Sequence, residues 1–499
     1  MAEQVVVLGA GMAGLCVALA LAPTGREITL LDRDPPPPEG GAEEVFDNWR
    51  RRGVGHLRQS HAFLARLRTL IVNEHPQLLD ELRATGAREL RFADGLPETI
   101  AKTYSATPQD EEMAIIVSRR TTLELAIRRY VERQPRVRIR PEVFVDGLLH
   151  RRSENGALVA EGLRLADGEI IRGNIIVDAA GRNSPVLDWL EAAGDAPPPE
   201  DIEDCSILYY TRFYRLLPGQ AEPPRGRFPT TGDLGFLKFG VFPADSGTFS
   251  ITLAVPEVEQ SLRVAVVRPE TFDEICAALP GVAPWTDTSR SEAVSRVHGM
   301  GNLKSRWREA APNGAPAALG LFSVGDSLVR TNPLFGRGCS FAAVEAHLLR
   351  DVLQATSDPT ERAVRYGQAV TTELRPFFDD MRQQDRAAAR RAVRGLDPTH
   401  RPSFRAQILR GFVEDGISIA LRKDIDLLRQ AMRAFHMLDP PRAWLNRPTT
   451  MLKILTTWAR GRKANTRYYA EKPGPDRGEM FARLHLPPDA DLQRLGAAG

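Results

Sequence analysis

Residues 5–34 read VVVLGAGMAGLCVALALAPTGREITLLDRD, and the order of residue types in this stretch decides the fold. An apolar run from Val5 to Leu8 breaks at Gly9, Gly11 and Gly14, continues as an apolar helix, and returns as a second strand ending at Asp32. Strand, GxGxxG turn, helix, strand and closing acid are the βαβ dinucleotide fingerprint, and each position has a physical task. Gly9 permits the tight turn, Gly11 lets backbone approach a pyrophosphate, and Gly14 lets helix and strand pack closely. The helix start, with Met12 and Ala13 in its first turn, offers unpaired N–H groups and partial positive charge to phosphate. Asp32, with Arg33 beside it, is placed to accept hydrogen bonds from a ribose diol. The fingerprint suits FAD and NAD equally.

A chain of 499 residues exceeds the size at which one hydrophobic core keeps growing, so two or three units are expected. Hydrophobic residues at 42% and charged residues at 26% belong to an ordinary globular protein. No run approaches the roughly 20 apolar residues of a transmembrane helix. The first residues lack a basic n-region and a small-residue cleavage site, which predicts a cytoplasmic protein. Cys16, Cys205, Cys276 and Cys339 are far apart, so neither a metal site nor a disulfide framework is expected. A net charge of +2 gives no argument for a nucleic-acid partner.

A second stretch, residues 320–349, reads GLFSVGDSLVRTNPLFGRGCSFAAVEAHLL. It predicts a buried strand from Leu319 to Val324, then Gly325 and Asp326, a loop with Pro333, and a helix opening at Gly336, Arg337 and Gly338. An aspartate at a strand end can bind a polyol, and glycines at a helix N-terminus expose N–H groups to an anionic ring. FAD carries both features, in its ribityl chain and in the pyrimidine edge of its reduced isoalloxazine.

The glycines at 9, 11 and 14, the arginine of VSRRTTLE, the stretch IIVDAAGRNS and GDSLVRTNPLFGRG occur in the order seen in FAD monooxygenases of the p-hydroxybenzoate hydroxylase type, which this chain resembles. The resemblance implies Arg120 near FAD, with Arg119 beside it as the alternative, Asp326 on the ribityl chain, and Pro333 to Gly338 along the flavin ring. It also implies that Asp178 to Ser184, with Asp178 and Gly181, packs against the cofactor. Aromatic hydroxylases of the family usually carry Cys-Asp-Gly here, implicated in FAD and NAD(P)H binding; this chain departs from that pattern and has no second GxGxxG. NADH or NADPH is thus expected as electron source either directly or through a separate flavin reductase.

The stretch RRGVGHLRQSHAFLARLRTLI, residues 51–71, is a basic glycine-containing loop running into a helix with Phe63, Leu64, Leu67, Leu70 and Ile71 at helical spacing. It is similar to a segment of polyether-biosynthesis epoxidases, matching at Gly53, Val54, Arg58 and His61. Gly55, His56 and Gln59 stand where those relatives tend to have Pro, Gln and His. By this likeness Arg58 reaches FAD phosphate or ribose, and His61 contacts the cofactor or caps the loop.

Between the half-sites, LKFGVFPADSGTFSITLAVP predicts two strands around a turn at Ala244 to Gly247, and SILYYTRFYRLLP a third. In the resembling family such a sheet carries the substrate over the flavin, so Tyr210, Phe236 and Phe242 are candidate pocket residues among Tyr209, Phe213, Tyr214 and Phe239. After residue 355 the composition turns helical. TTMLKILTTWARGRKA places Met451, Leu452, Leu455 and Trp458 on one side with Lys and Arg available, either packing on the body of the protein or lying on a membrane surface. The expected architecture is α/β: a Rossmann-like FAD-binding domain in two parts (1–195 and 306–355), an inserted β-sheet substrate domain (196–305) and a helical C-terminal region (356–499).

Cofactor chemistry dominates the expected reaction, so no catalytic side-chain constellation is required. By the resemblance, the chain epoxidises or hydroxylates a lipophilic polyketide-like or isoprenoid-like molecule through a flavin hydroperoxide. The alternative is an FAD-dependent reductase of prenyl-type double bonds.

Overall fold

Strand β1 (Gln4–Leu8) runs into α1 (Met12–Leu21), which returns as β2 (Glu27–Leu31). The computed structural model describes residues 2–224, 226–397 and 399–487, so 488–499 of the expected helical tail lie outside the described residues. Helix α2 (Arg120–Glu132) leads to β3 (Val137–Arg140), and β4 (Ile175–Asp178) follows an antiparallel hairpin whose strands, 158–165 and 170–172, flank the Asp167-Gly168 turn. Next come β5 (Ile207–Leu216), β6 (Lys238–Pro243), β7 (Thr248–Pro256) and α3 (Pro269–Ala278). The short β8 (Leu321–Ser323) precedes α4 (Gly338–Ala355), α5 (Pro359–Leu396), α6 (Phe404–Gly411), α7 (Ile425–Phe435) and α8 (Pro448–Ala459).

The parallel sheet has the order β8-β4-β1-β2-β3. From β1 the chain goes first to β2 on one side and later to β4 on the other, so the strand order reverses at β1. In such sheets the crevice beyond the strand C-termini at the reversal point is where ligands bind. Burial on both faces explains the Val and Ile content of β1 and β4. Nine of the ten residues of α1 are buried, because α4 covers the side that the sheet does not.

The antiparallel sheet sorts its side chains by pleat. Tyr210, Tyr214, Phe249, Ile251 and Leu253 face a second core with Phe272 and Ile275 of α3. Tyr209, Thr211, Phe213, Ser250 and Thr252 face the parallel-sheet unit, as their bonds to Asn332, Gln59 and Ser60 and the Phe213 contact with Phe46 show.

Two local expectations change. The helix after Pro333 begins at Gly338, since Gly336 adopts φ 64° and ends a short 3-10 turn. In α8 the buried face is Thr450, Ile454 and Thr457, while Leu452 and Leu455 point outward at 62% and 43% exposure. Among the described residues no helix is long and apolar enough to cross a membrane.

Candidate active site

Two helix N-termini open onto one cleft of about 340 Å³. Helix α1 starts from Gly11 and α4 from Arg337; neither has a side-chain cap or an acid in its first turn. Their free N–H groups and helix dipoles therefore make the cleft floor attractive to anions at two points. The two are held side by side at Gly325, where a Cβ would come within 2.6 Å of the Ala13 Cβ and 3.7 Å of the Ala342 Cβ.

The glycines of the first turn divide their work. Gly9, at φ 105°, lies so close to the Ala179 carbonyl that a Cβ would sit 2.6 Å from it, and a Cβ on Gly14 would sit 2.0 Å from the Gly9 oxygen. Gly11 is different: the nearest atom to its notional Cβ is Arg51 Nη2 at 3.8 Å. Its missing side chain keeps the cleft open. Of the expected contact residues, Gly9, Gly11, Met12, Ala13, Asp32, Arg33, Arg120, Gly181, Gly325, Asp326, Pro333, Gly336 and Gly338 line this cleft, whereas Gly14 serves packing.

A buried chain of charges runs beneath them. Arg51, 7% exposed, places Nη2 3.2 Å from Asp32, Nε 3.1 Å from Asp34 and Nη1 2.6 Å from Glu124. Glu124 in turn accepts from Arg120 Nε at 2.9 Å. Burial alone would raise the Glu124 pKa, but Arg51 and Arg120 hold it below the usual carboxylate value. Asp32 is shifted upward by burial, against the pull of Arg51; its Oδ2 is ion-paired with Arg51 Nη2 at 3.2 Å but makes no aligned hydrogen bond. A buried carboxylate oxygen with lone-pair capacity left over is suited to a ligand hydroxyl.

Arg120 Nη1 ends this chain 3.5 Å from Nε2 of both His56 and His61 and 3.6 Å from Cys339 Sγ. Burial, then the Arg120 charge, lowers His61 to about 3 and His56 well below its ordinary value, so both rings are neutral near pH 7. His61 Nδ1 lies 2.9 Å from the Gln59 carbonyl, which assigns its proton to Nδ1 and leaves Nε2 as an acceptor toward Arg120. Asp326 also lines the cleft, raised by burial against Arg330 and Arg120.

Several expected contacts fall elsewhere. Arg58 donates to the carbonyls of Phe46 (2.7 Å) and Asp47 (2.9 Å), because the loop doubles back onto residues 42–48, and it does not line the cleft. Asp178 is fully buried and accepts from Ser184 Oγ, Ser327 Oγ and the Ala180 N–H, tying the turn at Gly181 to the turn at Gly325. Arg119 pairs with Asp245, so of the adjacent arginines it is Arg120 that reaches the cleft. Tyr210 and Phe236 belong to the core against α3, on the far face of the sheet; Phe242 lies on the near face but outside the cleft wall.

The loop at 56–62 is fastened to the near face of the sheet by Thr211 to Gln59 Oε1 (2.7 Å), Gln59 Nε2 to the His298 carbonyl (2.9 Å), and Ser60 to Ser250 and Thr252 (2.7 Å each). Sequence reading missed Arg51 and Glu124 as partners. Glu124 was accessible as the i+4 neighbour of Arg120 on one helix, but Arg51 is 73 residues away from it.

A sequence profile described as FAD dependent oxidoreductase matches residues 4–279. The chain belongs to that family. Protein Rv3254 of Mycobacterium tuberculosis H37Rv is 27% identical to the oxidoreductase over 382 residues, 71% of this chain and 73% of that protein. Among solved structures, the flavin-dependent brominase Bmp2 is similar with a TM-score of 0.58 at 14% identity, covering 93% of this chain and 100% of that one. The anhydrotetracycline hydroxylase OxyS from Streptomyces rimosus is similar with a TM-score of 0.54 at 19% identity, covering 88% and 76%. These likenesses place the oxidoreductase in the same fold.

The site fits the cofactor of its family. Two uncapped helix N-termini suit the pyrophosphate and the anionic edge of a reduced flavin, and the Asp32 carboxylate in the cleft lining suits a ribose hydroxyl. Among the described residues no cluster of His, Cys, Asp or Glu could hold a metal.

Proposed function

We propose that this FAD-dependent oxidoreductase is a monooxygenase that hydroxylates or epoxidises a lipophilic small molecule of polyketide or isoprenoid type. The observation that carries the reading is the second uncapped helix, α4, opening at Gly338 beside the apolar Pro333, Met300 and Leu303 on the wall shared with the dinucleotide turn. FAD, once reduced, supplies activated oxygen. Asp32 and the α1 N-terminus hold the adenosine and pyrophosphate end, while Asp326 holds the polyol. The α4 N–H groups stabilise negative charge on the ring. Arg120, paired with Glu124, would help hold the cofactor from the cleft lining, and neutral His61 would orient Arg120 through Nε2. The hydrogen-bonded loop at 56–62 walls the cleft and limits water.

Names within the fold support more than one outcome, since Bmp2 is a brominase and OxyS a hydroxylase. The loop likeness to polyether-biosynthesis epoxidases favours an alkene substrate. Electrons come from NADH or NADPH, directly or through a flavin reductase.

The test is turnover of photochemically reduced holoprotein with oxygen-18 dioxygen and a panel of polyketide and isoprenoid alkenes. One labelled oxygen atom per product molecule is expected. A product saturated at the double bond and free of label would replace this reading with the reductase.

A further inference from the structure

Helix α6 buries none of its eight residues, although Phe404, Ile408 and Leu409 are among them. Phe404 is 77% exposed and Leu409 64%, and Val413 on the next turn is 44% exposed. The same helical segment continues to Gly416 and packs against α8, where notional Cβ atoms on Gly411 and Gly416 approach Trp458 within 3.8 and 3.3 Å. From α8, Leu452 and Leu455 also point outward. Large apolar groups exposed on two packed helices of an otherwise polar surface mark a contact region.

Charge says what covers it. Residues 401–423 and 447–467 contain eleven Lys and Arg against two acids, whereas the whole chain is net +2. The two acids, Glu414 and Asp415, are themselves paired with Arg410 and Arg462. A second copy of this face would bring like charge onto like charge. A nucleic acid would use the arginines and leave Phe404, Leu409 and Leu452 in water. An anionic lipid surface takes both, with apolar side chains at the acyl boundary and Lys and Arg at the phosphates.

We propose that the α6–α8 face docks the enzyme on an anionic lipid surface. The two helices flank α7, and the carbonyl of His436 just after α7 accepts from the Arg66 N–H at 3.2 Å, four residues beyond Ala62 in the cleft wall. The docked face is thus joined to the cleft through a short packed connection. This inference stands apart from the reaction type, since it is read without turnover.

The experiment is co-sedimentation of FAD-loaded protein with vesicles of phosphatidylcholine alone or with about 30% phosphatidylglycerol. Binding to the anionic vesicles alone is expected, weakened by raising salt from about 0.1 to 0.5 M. Phe404→Ser with Leu452→Ser, and separately Arg460→Glu with Lys463→Glu, should each lower binding at least about tenfold while FAD loading is retained. Absence of binding to the anionic vesicles, or equal binding to both vesicle types, overturns the proposal. Concentration-dependent dimerisation in sedimentation velocity, lost in the Phe404→Ser, Leu452→Ser variant, would instead make this face an interface between copies.

Discussion

Glu124 is one carboxylate shared by two arginines, and its removal is the sharpest single test of the cleft. With no exposure to water, it pairs with Arg51, which also has Asp32 and Asp34, and with Arg120. Glu124→Gln takes from buried Arg120 its carboxylate partner and leaves Arg51 with Asp32 and Asp34, which should cost about 3 kcal/mol in urea unfolding and weaken FAD binding in the surviving fold. Asp385 on α5 tests the electrostatics in another way. It is 8% exposed, its Oδ1 accepts from Asn332 at 2.9 Å, Asn332 accepts from Tyr209, and burial pushes its carboxyl up to about 7. In the unfolded chain the value is about 4, so between pH 4 and 7 the folded state holds a proton that the unfolded state has lost. The stability from that proton is fully present below pH 4 and is gone above pH 7. Asp385→Asn should therefore gain about 1 kcal/mol or more over the natural chain at pH 8, a difference that vanishes as the pH falls to 4.

The N-terminus of α1 separates binding from folding. Gly11 has φ −80° and open space around its notional Cβ, so a side chain there meets neither strain nor backbone. Gly11→Asp gives the helix an N-cap acceptor and a favourable charge, and should leave apoprotein stability unchanged or raise it by about 1 kcal/mol. The same carboxylate would stand where the phosphate is proposed to bind, and FAD affinity measured by fluorescence titration should fall at least about 100-fold. A parallel fall in stability would mean that Gly11 is needed for packing, as Gly14 is. β1, α1 and β2 were readable because their signals are local: a pleated apolar run, a glycine turn and an apolar helix follow each other within 30 residues. The outward turn of Leu452 and Leu455 was not readable, because amphipathic spacing gives the relation between side chains and not which neighbour is absent.

The cleft closes over segments that lie more than 300 residues apart, from Gly9 to Ala342. A cofactor bound there joins β1, the loop at 51–62 and α4, and binds only the folded chain. Stripping FAD should lower the melting temperature by several degrees, and restoring it at about 100 times its Kd should return about 2.7 kcal/mol. Calorimetry checks this, with Gly11→Asp as the variant that does not respond.

The two half-sites, the acids that close their strands and the alternation in β5 to β7 follow from the order of residues, since glycine torsions and the two-residue pleat are short-range constraints. Assembly of the parts depended on packing. Alternation relates Tyr209 to Tyr210 but does not say which of them meets α3, and two adjacent arginines at a helix start look alike until Asp245 claims Arg119. Arg51 finds Glu124 only when the loop at 51–62 is laid over α2, and Arg58 is spent on the carbonyls of Phe46 and Asp47 by the same fold. Buried charge is paired by proximity in space, because in a low-dielectric interior an unpaired guanidinium is the costliest neighbour, and nothing along the chain encodes that distance.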